Sequence, residues 1–255
     1  MAMDRLFQLM KDKNASDMFF AVNSPVHIKI NGNLIPINQQ KLEPDNITAL
    51  LAEIASPAQM EELERTNELN MGISVPKLGR FRLSAFRQRG SISAVFRFVP
   101  ANIPPLAELG LPPILAELIM EKRGLLLLVG ATGSGKSTTI ASMLDHRNEL
   151  RAGHILTLED PIEYLFKNKK SIVNQREIGS DADSFGTALR NSMRQAPDCI
   201  LIGEIRDKET MAAALAYAQS GHLVLATLHA NNSYNALNRI ISFYPIENRA
   251  ALLQD

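Results

Sequence analysis

The sequence predicts an α/β protein built in two parts, a smaller α+β domain followed by a domain organised around a parallel sheet. Three observations predict it. The first hundred residues hold short alternating segments joined by tight-turn signals. Residues 100–113 carry five prolines, spaced so that no long helix can cross them. Beyond that break, apolar strand-length runs alternate with helix-length segments, as parallel strands covered by helices on both faces require. The domains are therefore placed at 1–99 and 114–255, with 100–113 as the linker.

The elements follow in order. Residues 4–13 read as an amphipathic helix with Leu6, Leu9 and Met10 on one side. Strands are expected at 18–22 and 27–30, the second entering a turn at Asn31-Gly32 and returning through 34–37 as a hairpin. A helix runs from Pro44 to about Ile54, and Pro57 opens another through Leu63. Segments 79–87 and 91–98 alternate around a turn at Gly90, which suggests an antiparallel sheet. In the second part, strands are expected at 125–129, 154–158, 199–203 and 223–228, and helices at 137–146, 184–195, 207–219 and 233–241. The closing residues, Ala-Leu-Leu-Gln-Asp255, lie inside what reads as a further helix.

Bulk properties exclude several classes. An apolar fraction of 45% fits a protein with full hydrophobic cores. Lys plus Arg number 27 and Asp plus Glu number 27, so no overall basic field advertises nucleic acid. The single cysteine, Cys199, leaves no intrachain disulfide and no cysteine-rich metal site. The first residues carry an early acid and no sustained apolar stretch, unlike a signal peptide. No apolar run approaches the roughly 20 residues of a membrane span. A soluble, cytoplasmic protein is expected.

The most specific chemistry lies at residues 130–138: Gly130, Ala131, Thr132, Gly133, Ser134, Gly135, Lys136, Ser137 and Thr138. They match G-x-x-x-x-G-K-[ST] at every fixed position, between an apolar strand and a helix. Glycines let successive N–H groups converge on phosphate oxygens at a helix N-terminus. Lys136 brings charge to the β- and γ-phosphates, and the Ser137 hydroxyl can ligate Mg²⁺.

Hydrolysis needs a metal acid and a group that orients water as well. Two carboxylate clusters stand at expected strand ends, where open α/β sheets bind ligands. One offers Glu159, Asp160 and Glu163; the other ends in Gly203-Glu204, with Gly where an Asp is more usual. His222 and His229 bracket the strand between them; a histidine at a strand end is either a structural hydrogen-bonding group or a catalyst, and Thr227 and His229 emerge at the edge of the phosphate loop, where they could sense the γ-phosphate. Arg80, Arg82, Arg87, Arg89 and Arg97 crowd two short strands; Arg80 and Arg82 share a face that is either solvated or turned to phosphate.

Four stretches together resemble the secretion ATPases of type IV pili and type II secretion. They are the phosphate loop 130–138, the acidic box 155–164, the strand 200–207 ending Gly-Glu-Ile-Arg-Asp, and the histidine box 221–229. The resemblance extends through Ala15-Ser16-Asp17 and the arginine strands at 81–98, so it covers nearly the whole chain. Within the family the chain is most similar to the pilus retraction group, PilT and PilU. Residues 225–232 and 243–245 lean toward the PilU side.

The resemblance implies a RecA-like P-loop NTPase core preceded by a PAS-like domain, with ATP and Mg²⁺ as cofactors. It implies a hexameric homo-oligomer that drives pilus retraction, cytoplasmic but held at the inner membrane through the pilus machinery. Partners implied are an inner-membrane platform protein and a paralogous retraction ATPase; no nucleic acid is expected. By motif, Lys136 and Ser137 bind phosphate and metal, Glu204 acts at the metal, and Glu163 activates water with Glu159 and Asp160 nearby. His222 and His229 would couple nucleotide state to the ring, and Arg82 and Arg97 would reach phosphate. Family members continue beyond the helix containing Arg239, so a C-terminally truncated form is expected. The competing readings are an ATP-binding accessory subunit acting through a partner motor, and a RecA-like nucleic-acid motor that charge and aromatic content disfavour.

Overall fold

In the computed structural model, which describes residues 1–99, 102–131 and 133–245, the chain divides into two units, Met1–Ala101 and Asn102–Asp255. Thr132 of the phosphate loop and the helix expected at the last five residues lie outside the described residues.

The first unit is α+β. Helix α1 (Ala2–Asp12) precedes β1 (Asp17–Phe20), β2 (His27–Ile30) and β3 (Asn33–Pro36); α2 (Pro44–Ala52) and α3 (Pro57–Thr66) precede β4 (Glu68–Val75), β5 (Gly79–Gln88) and β6 (Ser91–Val99). All pairings are antiparallel, in the order β3-β2-β1-β6-β5-β4. The β2–β3 hairpin turns through Asn31 and Gly32 with φ of 49° and 83°, the double positive φ that Asn-Gly tolerates and that matches strand twist. Alternation sends Phe81, Leu83, Ala94 and Phe96 to one face, where α1, α2 and α3 cover them. Phe7 of α1 stacks on Phe81 with ring centroids 4.2 Å apart. Strand β4 escapes the sequence reading because it is an edge strand mixing Glu68, Asn70 and Gly72 with apolar residues.

The second unit begins with a 3₁₀ turn at Leu106–Leu109 and helix α4 (Ile114–Leu118). Then come β7 (Gly124–Val129), α5 (Lys136–Leu150), β8 (Gly153–Glu159), β9 (Ser171–Glu177), α6 (Phe185–Ser192), β10 (Cys199–Ile202), α7 (Lys208–Gln219), β11 (Leu223–Leu228) and α8 (Ser233–Ser242). The five strands are parallel, in the order β7-β11-β10-β8-β9. Strands β10 and β11 are buried at every position, as apolar runs covered on both faces should be. Ile140, Met143 and Leu144 of α5 pack one face of the sheet, and Leu189, Met211, Ala214 and Ile240 from α6, α7 and α8 pack the other.

Strand order places the chemistry. β11 is inserted between β7, which leads into the phosphate loop, and β10, which leads into Glu204. The C-terminal ends of β7, β8, β10 and β11 therefore open on one edge. The outer strand β9 carries Asn174, Gln175, Arg176 and Glu177, too polar a run to read as a strand from sequence.

Candidate functional site

Backbone geometry of the phosphate loop follows from its glycines. Gly133 and Gly135 have φ of 77° and 93°, a region that side chains avoid, and Gly135 is the N-cap of α5. The Lys136 ammonium donates to the carbonyls of Gly130 at 2.9 Å and Ala131 at 2.8 Å. Ser137 is exposed in the first turn of α5, and the Thr138 hydroxyl lies 2.9 Å from the Tyr164 hydroxyl. A cleft of about 240 Å³ opens here, lined by Gly133, Lys136, Ser137, Glu159, Asp160, Glu163, Glu204, Thr227 and His229 among others.

Strand β10 is followed by Gly203, and the structure accounts for glycine there. A Cβ at 203 would stand 3.2 Å from the Glu159 Cα and 3.2 Å from the Leu158 carbonyl, both backbone atoms of β8. The next residue, Glu204, then turns toward the cleft. His229 Nε2 is 3.1 Å from Glu204 Oε1, while Arg206 Nε donates to Glu204 Oε2 at 2.8 Å. Arg206 also reaches Asp160 Oδ2 at 3.3 Å, so one guanidinium joins the two acidic clusters. The hydrogen bond to Glu204 pushes the Arg206 pKa further up.

The carboxyl of Glu159 is buried, with Thr157 Oγ1 donating to Oε1 at 2.6 Å and the Glu163 amide to Oε2 at 3.3 Å. Burial pushes its pKa above the ordinary carboxyl value; these hydrogen bonds and that from Gln175 oppose the rise, and the Glu163 charge adds to it. Glu163 itself is exposed and faces the cleft, just after a cis Asp160–Pro161 peptide. The geometry thus divides the acidic box into one enclosed carboxyl and two accessible ones.

Lys136, Ser137, Glu159, Asp160, Glu163, Glu204 and His229 all line this cleft. His222 does not. It precedes β11 at the opposite end of the strand, where its Nδ1 lies 3.1 Å from the Ser220 hydroxyl and its ring packs edge-on against Tyr217. Six residues of strand, at about 3.3 Å each, separate the two histidines. The structure does not bring His222 to the cleft: bracketing one strand means standing at its two ends.

Arg82 and Arg97 belong to the first unit, on the sheet face turned away from its helices. Strand register sets Lys29, Asp17, Arg97, Arg82 and Gly72 side by side in one row across five strands. Like charges directly opposite repel, and Arg97 Nε donates to Asp17 Oδ1 at 2.8 Å, which offsets the repulsion. Sequence reasoning missed Arg206, Tyr164 and Gln175. Only Arg206 left a signal, its position two residues after Glu204.

A phosphate loop at the head of α5, with acids and a histidine from neighbouring strand ends, defines a P-loop nucleotide-binding protein. The chain belongs to the family Type II/IV secretion system protein, whose profile matches residues 2–247. It is 46% identical to the type IV pilus ATPase PilU of Pseudomonas aeruginosa over 255 residues, all of this chain and 67% of that protein. It is 40% identical to the pilus retraction ATPase PilT of the same organism over 238 residues, 93% of this chain and 69% of that protein. A crystal structure of the retraction motor PilT with bound ADP superposes with a TM-score of 0.91 at 42% identity, covering 97% of this chain and 73% of that one. No helix among the described residues is long and apolar enough to cross a membrane.

Proposed function

We infer that this chain is an ATPase of the pilus retraction type, which hydrolyses ATP in the cleft at the C-terminal edge of its parallel sheet. One observation carries the reading: side chains from four strand ends, bearing the phosphate loop, Glu163, Glu204 and His229, line a single cleft. The similarity to PilU and PilT supports retraction as the work done.

The residues present fit a nucleotide with Mg²⁺. Hydroxyl and carboxylate oxygens of Ser137 and Glu204 line one cleft, and Mg²⁺ is commonly held by one or two protein oxygens together with substrate phosphates. When bound, the metal would neutralise charge that develops on the phosphates. Lys136 trades its carbonyl partners in the loop for phosphate oxygens. Glu163, exposed at the cleft, accepts a proton from water while Glu159 holds its backbone in place. Glu204, within 3.1 Å of His229 and hydrogen-bonded to Arg206, would hold the metal together with Ser137. In the first unit, we assign Arg82 and Arg97 to phosphate binding, with Asp17 pairing Arg97 at its Nε. The assembly is a homo-oligomeric ring in the cytoplasm, held at the inner membrane by the pilus platform protein.

Turnover tests the reading. Mg²⁺-dependent ATP hydrolysis is expected, lost with Lys136→Ala and reduced about a hundredfold or more with Glu163→Gln. A second reading, an ATP-binding accessory subunit of a paralogous retraction motor, draws on the higher identity to PilU. Intact nucleotide binding with wild-type turnover no higher than that of Lys136→Ala would decide for the accessory subunit.

A further inference from the structure

On both β8 and β9, the sheet face that packs against α5 changes character along the strand. On β8 it runs Ile155, Thr157, Glu159; on β9 it runs Val173, Gln175, Glu177. Parallel register sets Thr157 beside Gln175 and Glu159 beside Glu177. Four polar side chains thus occupy the end of a buried face, where each needs a partner. They find many of their partners in the backbone of the loop 160–166.

Gln175 Nε2 donates to the Tyr164 carbonyl at 2.8 Å and to Glu159 Oε1 at 3.3 Å, while Gln175 Oε1 accepts from the Phe166 amide at 2.9 Å. The buried carboxylate of Glu177 accepts from the Ile162 amide at 3.0 Å. Glu159 accepts from the Glu163 amide. Amides at 162, 163 and 166 and the carbonyl at 164 are therefore held by side chains of β8 and β9. Glu163 stands in the middle of this segment.

We propose that Gln175 is a positioning residue for Glu163, fixing the loop backbone on its C-terminal side as Glu177 fixes it on the other. This rests on the reading of Glu163 as the group that activates water. A carboxylate acting on water must be held to within a fraction of an ångström, and a displacement of about 1 Å costs up to a hundredfold in rate. A carboxamide suits the position because a donor and an acceptor are needed side by side, and Gln supplies both without adding charge next to Glu159.

The test compares Gln175→Met, close in volume but unable to make these hydrogen bonds, in the wild-type and Glu163→Gln backgrounds. Binding of a fluorescent ATP analogue and the thermal midpoint report on the fold. The proposal expects binding within about twofold of wild type and kcat lowered about ten- to hundredfold. In the Glu163→Gln background, single-turnover rates should fall no further when Gln175→Met is added. An equal fall in both backgrounds overturns the positioning role and leaves Glu163 its own. Loss of nucleotide binding along with turnover overturns it too, since Gln175 would then serve the fold as a whole. Unimpaired turnover of Glu163→Gln alone removes the reading beneath it.

Discussion

His229 Nε2 stands 3.1 Å from Glu204 Oε1, joining the residue after β11 to the acid at the end of β10. The adjacent oxygen of the same carboxylate is taken by Arg206, so two cationic or donor groups share one acid. Such an acid is held in one orientation by its neighbours. Removing one polar partner from a carboxylate costs on the order of 1 kcal/mol or more. His229→Ala should therefore lower kcat about tenfold or more with nucleotide affinity little changed, while His229→Gln, which keeps a donor, retains most of it. Equal loss in both variants under steady-state assay would show that the imidazole does something other than donate to Glu204.

The buried carboxyl of Glu159 gives stability a pH dependence of known sign. Burial favours its neutral form, so its folded pKa lies above the ordinary value of 4.5. Its contribution is fully present below that value and is lost as pH rises through the folded pKa. The unfolding free energy of the wild type minus that of Glu159→Gln should fall as pH rises above about 4.5. Urea titrations across a pH series check this, and a flat difference would refute it.

Gly203 makes a steric prediction. With a Cβ 3.2 Å from two backbone atoms of β8, an alanine there must push two adjacent strands apart. Overpacking of this kind costs about 1–3 kcal/mol, and Glu204 would be displaced with it. Gly203→Ala should lower the urea midpoint and kcat together; a stable, fully active variant would show that the strand ends yield freely.

Cys199 is wholly buried in the sheet, and burial pushes its thiol up to about 12 despite the opposing Arg147 charge. The folded protein should resist thiol reagents at pH 8 and react fully once unfolded. The neighbouring Arg147 is itself buried, with Nη1 donating to the Ile119 and Glu121 carbonyls. Arg147→Met strands those acceptors and should cost about 2 kcal/mol or more in chemical denaturation. Rapid labelling of native Cys199 would contradict the closed interior on which both expectations depend.

Much of this was legible in the sequence because local chemistry and tertiary context agree. Leu223–Leu228 is apolar throughout and becomes a fully buried strand; Asn31-Gly32 is a hairpin signal and becomes a hairpin. The phosphate loop announces itself because few other residues satisfy its backbone. Strands β4 and β9 were not legible. Each lies at a sheet edge, where half the positions meet solvent or loops and the apolar pattern dissolves. The site shows the same division. Residues that sit in a motif were found, whereas Arg206 and Gln175 reach the site through partners distant in sequence that only folding brings near. His222 shows the converse, since two residues that flank one strand in sequence stand at its opposite ends in space.

The hydrogen bonds from β9 to the loop 160–166 bear on how members of such a family are told apart. A survey that scored only the phosphate loop and the acidic and histidine boxes would accept a chain whose residue 175 had lost its amide. That chain would keep every signature and bind its nucleotide, yet idle. Sorting working motors from silent copies would then depend on a position that no signature contains.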